Sequence, residues 1–234
     1  MSNPLNIYII RHGETFSNIH QVVQGWSDSD LTEKGIRQAL CTGTGLSGTV
    51  FSACYCGDLR RQMQTAEAII SASGNSSDLP RICDPDFREM YYGSYEAGPY
   101  LTMYQPLLEM FDLDISRVDE LYEHLSCTQL FEQMAINDPE GTTEHFDEVA
   151  RRMFRGLQRI IRENPQGGNV LLVSSSCAMA DLIEFLFPEK TVQALIRNCS
   201  VTLIRYQDGM LYLDGFDDLS YYEKGKAILE SEEI

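Results

Sequence analysis

The 234-residue sequence predicts an α/β fold. The expected architecture is a mostly parallel central sheet with helices on both faces, carrying a helical cap inserted at about residues 98–140. Three observations predict it. Short β-branched runs alternate with segments of helical period, the signature of strand–helix–strand units. That alternation stops between Gly98 and Glu140, where the chain is rich in Tyr, Leu, Met and acids and Arg117 is the sole Arg or Lys. The length suits one domain that buries a full core, spanning residues 1–234.

The elements follow in order. Leu5 to His12, "LNIYIIRH", is a buried strand. Leu31 to Leu46 has helical spacing, with Thr32 as its N-cap. Val50 to Cys56 is a second strand, and Asp58 to Ala72 a helix with Leu59, Met63, Ala66 and Ile70 on one face. Arg81 to Met90 is extended, with one turn at Asp84-Pro85. The cap contributes two or three short helices. Thr143 starts a long helix, "GGNVLLVSS" is the next strand, and Ala178 to Phe187 the helix after it. A hairpin turns at Asp208-Gly209, and the acidic tail is expected to be peripheral.

Composition narrows the function. The net charge of −17 argues against nucleic acid or an anionic membrane surface as partner. A basic pocket still sets its own field, because screening confines surface charge to about 8 Å at physiological salt. The seven cysteines are irregularly spaced, mostly in apolar runs, and read as buried thiols of a reducing compartment. The N-terminus has no basic region, and its apolar stretch is too short for a signal peptide. Asp181 and Glu184 interrupt the apolar stretch from Val170 to Phe187, so it is no membrane span. The expected location is cytoplasmic. The acids at 112, 114, 119, 120 and 123 read as a solvated helix face; a calcium loop needs tighter spacing and a turn glycine.

The chemistry gathers at strand ends, where open α/β sheets place their ligands. Arg11, His12 and Gly13 close the first strand. A neutral imidazole there is able to attack phosphorus and hold the phosphoryl group covalently. An adjacent arginine is able to clamp phosphoryl oxygens. Arg61 opens the helix after the second strand, a position that suits an anion. Glu89 follows the third extended segment.

Four stretches carry a resemblance: "RHGETFSN", "QGWSDSDLTEKGIRQA", "GDLRRQMQTA" and "FREMYYGSYEAG". They resemble the patterns R-H-G-E-T-x-x-x-N, G-x-x-D-x-x-L-T-x-x-G-x-x-Q-A, S-D-L-x-R-A-x-x-T-A and E-x-x-x-G-x-x-E of the histidine phosphatase superfamily, also called phosphoglycerate mutase-like. The resemblance runs from Asn6 to Glu96 and resumes from Pro139 to Glu184. It implies that His12 becomes phosphohistidine and that Arg11 and Arg61 clamp the phosphate. It further implies that Asn18 lines the pocket, that Gln24 and Gly25 edge the substrate mouth, and that Glu89 is the general acid. Glu14, Gln38 and Asp58 read as structural, since they sit where caps and turns need polar partners.

The chain departs from the family where the later strand usually ends V-S-H-G. Here it reads Val173, Ser174, Ser175, Ser176. Ser175 stands where the second histidine is expected, and Ser176 where glycine is expected. A serine still offers the substrate one hydrogen bond but no charge. Losing one preorganised charged donor typically costs roughly 10²–10³ in rate. A histidine at 175 with a glycine at 176 is accordingly expected to raise turnover about 10- to 10³-fold.

Three functions remain. The first is a phosphatase that hydrolyses a small phosphomonoester through phospho-His12, with activity weakened at Ser175, and with no metal or other cofactor. The second is an impaired family member that binds a phosphorylated ligand or a protein. The third is a phosphoglycerate mutase, disfavoured because the cap and the segment after Glu89 lack the basic residues a carboxylated substrate needs. Tyr91, Tyr92, Tyr95, Tyr100 and Tyr104 either line a pocket for an apolar leaving group or pack the cap. The oligomeric state is not legible.

Overall fold

The computed structural model describes residues 3–232. Its centre is a six-stranded sheet in the order β3-β2-β4-β1-β5-β6. The strands are β1 (Leu5–Arg11), β2 (Phe51–Cys56), β3 (Arg81–Cys83), β4 (Gly168–Ser174), β5 (Val201–Gln207) and β6 (Met210–Asp218). Strands β3, β2, β4 and β1 run parallel, and β5 and β6 continue the sheet antiparallel. The β5–β6 turn is Asp208-Gly209, both at positive φ (51° and 84°), the backbone that a two-residue hairpin requires.

Both faces of the sheet are covered, and the strand sequences show why. In β4, Val170 and Leu172 enter one core cluster while Leu171 and Val173 enter the other. A strand buried on both sides reads as a continuous apolar run. One face carries α2 (Glu33–Gly45), α3 (Arg60–Ala72) and α9 (Ser220–Glu232). The other carries α7 (Phe146–Glu163) and α8 (Ser176–Leu186). Between β3 and α7 lie α4 (Tyr100–Met110), a 3-10 segment (Ile115–Glu120), α5 (Leu121–His124) and α6 (Cys127–Asn137). A single-turn helix, α1 (Phe16–Ile19), follows β1, capped by Thr15, which accepts from the Asn18 amide.

Five details differ from the sequence reading. Helix α3 turns Arg61, Gln62, Thr65, Ala66, Ile69 and Ile70 inward and leaves Met63 exposed, because its first turn points polar groups at the sheet ends. Helix α7 starts at Phe146 rather than Thr143: the Thr143 amide is taken by Asp138, which also accepts from the Thr142 amide. Helix α8 starts at Ser176, two residues early, because the amides of its first turn have a carboxylate to donate to. The tail is not peripheral: it forms α9, packed backbone to backbone on α2. A Cβ on Gly225 would lie 1.8 Å from the Cys41 carbonyl oxygen, so only glycine permits that approach. Among the cysteines, Cys83 is exposed on edge strand β3, and the other six are buried.

Among the described residues no helix is long and apolar enough to cross a membrane.

Candidate active site

Strands β1 and β4 are neighbours, with Arg11 in register with Ser174. Their C-terminal ends therefore deliver Arg11-His12 and Ser174-Ser175 side by side. The His12 amide continues the ladder by donating to the Ser174 carbonyl (3.0 Å). Its own carbonyl accepts from Asn198 Nδ2 (2.8 Å). Gly13 then passes so close to α2 that a Cβ would lie 2.4 Å from the Gly35 carbonyl oxygen. Its amide donates to Thr65 Oγ1 (3.0 Å), tying the turn to α3.

The His12 ring is buried, with Nδ1 2.8 Å from the Gly13 carbonyl oxygen. A carbonyl only accepts, so Nδ1 carries the proton and Nε2 keeps a free lone pair. Burial, then Arg61, then Arg11 push His12 well below its ordinary value, so the ring is neutral at physiological pH. That is the state a nucleophile needs.

His12 opens into a cavity of about 60 Å³. Its polar wall is Arg11, Asn18, Gln24, Glu89 and Ser176; its apolar wall includes Tyr92, Tyr100, Met103, Tyr104, Phe131 and Leu195. Among these lining residues Arg11 is the one arginine or lysine. It donates from Nη1 to the Ile196 carbonyl (2.5 Å), while its buried Nε has no partner. Gln24 is fixed by accepting from Thr15 Oγ1 (2.7 Å) and donating to Ser29 Oγ (2.9 Å).

Glu89 is the second chemical group at the wall. Its carboxylate accepts from the amides of Met90 (2.8 Å), Cys177 (3.1 Å) and Ala178 (2.8 Å). The last two belong to the first turn of α8, so Glu89 serves as that helix's cap. Buried Arg152 fixes the chain around it, donating to the carbonyls of Asp86, Arg88 and Glu89 while paired with Glu144. Trp26 Nε1 also donates to the Glu89 carbonyl (3.0 Å).

Three sequence-predicted site residues stand apart from the cavity wall. Arg61 is fully buried, and its terminal nitrogens are engaged elsewhere. Nη1 donates to Ser27 O (2.9 Å) and Asp28 Oδ1 (3.2 Å), and Nη2 to Gly25 O (2.7 Å). Only Nε is uncommitted. Arg61 thus straps the 24–28 loop beside His12, which feels its charge. Gly25 is packed under that loop, where a Cβ would lie 2.1 Å from Glu96 Oε1. Ser175 is fully buried as the N-cap of α8, and its hydroxyl accepts from Gln62 Nε2 (3.0 Å).

Of the five tyrosines, Tyr92, Tyr100 and Tyr104 reach the cavity. Tyr91 packs against Trp26, and Tyr95 donates to the Asn137 carbonyl (2.7 Å). Glu14, Gln38 and Asp58 take structural contacts. The Glu14 amide donates to Gln38 Oε1 (2.9 Å), and Asp58 holds Arg88 bidentately (2.6 and 2.7 Å). Sequence reasoning missed Cys177, Arg152 and Asn198, which carry no motif of their own. It also passed over Gln62, although the glutamine standing where the quoted pattern has alanine was a visible signal.

Comparison with known proteins shows the family and the fold. Residues 7–218 match the model of the histidine phosphatase superfamily (branch 1). The chain is 31% identical over 219 residues to a probable phosphoglycerate mutase GpmB of Yersinia pestis (strain Pestoides F), covering 91% of this chain and 90% of that protein. The crystal structure of a phosphoglycerate mutase from Bacillus anthracis str. Sterne superposes with a TM-score of 0.87 at 32% identity, over 96% of this chain and 98% of that one. A putative alpha-ribazole-5'-P phosphatase from Escherichia coli str. K-12 substr. MG1655 shares the fold, with a TM-score of 0.69 at 24% identity over 92% and 96% of the two chains.

Proposed function

We propose that this chain, which belongs to the histidine phosphatase superfamily, hydrolyses a small phosphomonoester through phospho-His12. The observation that carries the reading is His12 itself: a neutral ring with Nδ1 anchored and Nε2 free, beside Arg11, in a cavity whose remaining walls are largely aromatic and apolar.

In this reading Nε2 attacks phosphorus and Arg11 takes phosphoryl oxygens. The P–O bond to the leaving group breaks, and Glu89 in its acid form gives that oxygen a proton. Glu89, now a carboxylate, takes a proton from water as the water attacks phosphorus. The P–N bond breaks and neutral His12 returns. Arg61 supports the charge from beneath the 24–28 loop.

The leaving group is apolar or ring-bearing, since Tyr92, Tyr100, Met103, Tyr104, Phe131 and Leu195 face it. The phosphoglycerate mutases among its relatives make isomerisation of phosphoglycerate the reading to test against. The wall offers no second cation for a carboxylate, and Arg117 is exposed and paired with Glu120. A cavity of about 60 Å³ lies far below the roughly 300 Å³ of drug-sized ligand sites, which suits a small ester.

The impaired-member reading is favoured by one observation: Ser175 is uncharged, and Arg61 spends both terminal nitrogens on the 24–28 loop. The test is a panel of aryl, alkyl and sugar phosphates with 3-phosphoglycerate. Aryl phosphate hydrolysis, with an acid-labile phosphoenzyme by intact mass, is the expected result. Isomerisation of 3-phosphoglycerate faster than any hydrolysis overturns it in favour of the mutase. Tight phosphate binding without turnover favours the impaired member.

A further inference from the structure

Gln62 belongs to the first turn of α3 and is fully buried. Its Nε2 donates to the Phe87 carbonyl (3.0 Å) and to Ser175 Oγ (3.0 Å). Its Oε1 has no partner and faces Gly57. A Cβ on Gly57 would lie 1.9 Å from that oxygen and 2.5 Å from Cδ. Gly57 is not among the glycines at positive φ, so space rather than backbone strain requires it. Two departures from the quoted S-D-L-x-R-A pattern, Gly57 and Gln62, are thus one fit.

A methionine would fill the same volume and leave no buried carbonyl unpaired. The orphan oxygen is a standing penalty, so the amide is there for what Nε2 does. Ser175 shows what that is. A serine at an N-cap ordinarily accepts from the second or third amide of its helix. Here those amides, of Cys177 and Ala178, donate to Glu89, and Ser175 makes no capping bond. Its oxygen accepts from Gln62 instead, which leaves the hydroxyl proton to be donated. Ser175 sits one step past the Arg11–Ser174 pair, alongside His12.

Building on the phosphatase reading above, we infer that Gln62 is a positioning residue. It fills the room a histidine side chain at 175 would occupy and holds Ser175, behind the cavity wall, as the neutral group next to His12. Gly57, Gln62 and Ser175 then form one unit, and no member of it is separately convertible.

The experiment compares Gln62→Met, Ser175→Ala and the two combined, on p-nitrophenyl phosphate. Each single change is expected to lower kcat about tenfold with KM within about twofold, because each loosens the β4 end next to His12. The combination should be no slower than the slower single. Losses that multiply to about a hundredfold, or wild-type kcat in Gln62→Met, overturn the inference. Repair provides an independent arm that does not need Gln62→Met to fold. Ser175→His with Ser176→Gly alone should give no gain, since Gln62 holds the space. Adding Gln62→Ala and Gly57→Ser should raise kcat at least about tenfold over that pair. A full gain from the pair alone overturns the inference. If wild type turns over no ester, the phosphatase reading fails, and orthovanadate affinity by calorimetry decides this one. Each single variant should bind about tenfold more weakly and the combination no more weakly still; equal affinity in all four proteins overturns it.

Discussion

The ends of β1 and β4 lie side by side, yet they are built in opposite ways. The β1 end presents a nucleophile and an arginine whose Nε has no partner. The β4 end presents three buried serines, one of which donates to the Phe87 carbonyl (2.9 Å) while another accepts from Gln62. Burial favours the neutral form of a titratable group on each side. On the β1 side it pushes the base His12 down; on the α8 side it pushes the acid Asp181, whose oxygens have no partner, well up. The same physical cause thus arms one side, where the neutral form is the reactive one. On the other it only exacts a cost, since no hydrogen bond offsets the burial. Reactivity comes from which atom is left without a partner.

The largest break in this comparison is expected from His12→Ala. Removing a nucleophile costs about 10⁴-fold or more in kcat. The acid-labile phosphoenzyme should vanish from the mass spectrum, while tryptophan fluorescence reports an intact fold. Turnover that persists would move the chemistry away from β1.

Glu89→Gln ranks next, at about 10²–10⁴-fold, the usual worth of general acid catalysis. The loss should be steep for alkyl phosphates and slight for p-nitrophenyl phosphate, whose leaving group needs no proton. An equal loss on both would make Glu89 only the cap of α8.

Ser174→Ala tests the β4 side. It removes a buried donor from the Phe87 carbonyl, and should cost about 1–2 kcal/mol in urea unfolding with kcat little changed.

Asp181→Asn gives a smaller, pH-dependent effect. Burial raises Asp181 in the folded state, so above about pH 4 the unfolded chain releases a proton that the folded chain keeps. Wild-type stability therefore falls as pH rises from the unfolded toward the folded value, by about 1.4 kcal/mol for each pH unit crossed. The asparagine variant lacks that loss, and its melting temperature relative to wild type should climb as pH rises above about 4. A constant difference would show Asp181 ionised in the fold.

The smallest expected effect is on the pH profile. His12 is neutral well below pH 6.5, so kcat/KM should show no acid limb with a midpoint between about 6 and 7. Such a limb, lost in no other variant, would mean the ring is not buried in solution.

The alternation of β-branched runs with helical periods is written in the chain, and with it the sheet and its two covered faces. The sequence also put Arg11, His12 and Glu89 just past strand ends, which meet at one edge of an α/β sheet, and the family resemblance added Asn18 and Gln24, which line the same cavity. Long-range hydrogen bonds are visible only in the folded chain. Arg61 is expected at the phosphate, and the fold shows its terminal nitrogens donating to the carbonyls of Gly25 and Ser27. The acidic tail reads as peripheral until Gly45 and Gly225 are seen to bring α2 and α9 into backbone contact. Ser175 reads as an isolated loss until Gln62, 113 residues away in the chain, is found bonded to it. Pairings of that range leave no periodicity in the sequence, because each partner satisfies its local propensity equally well without the other.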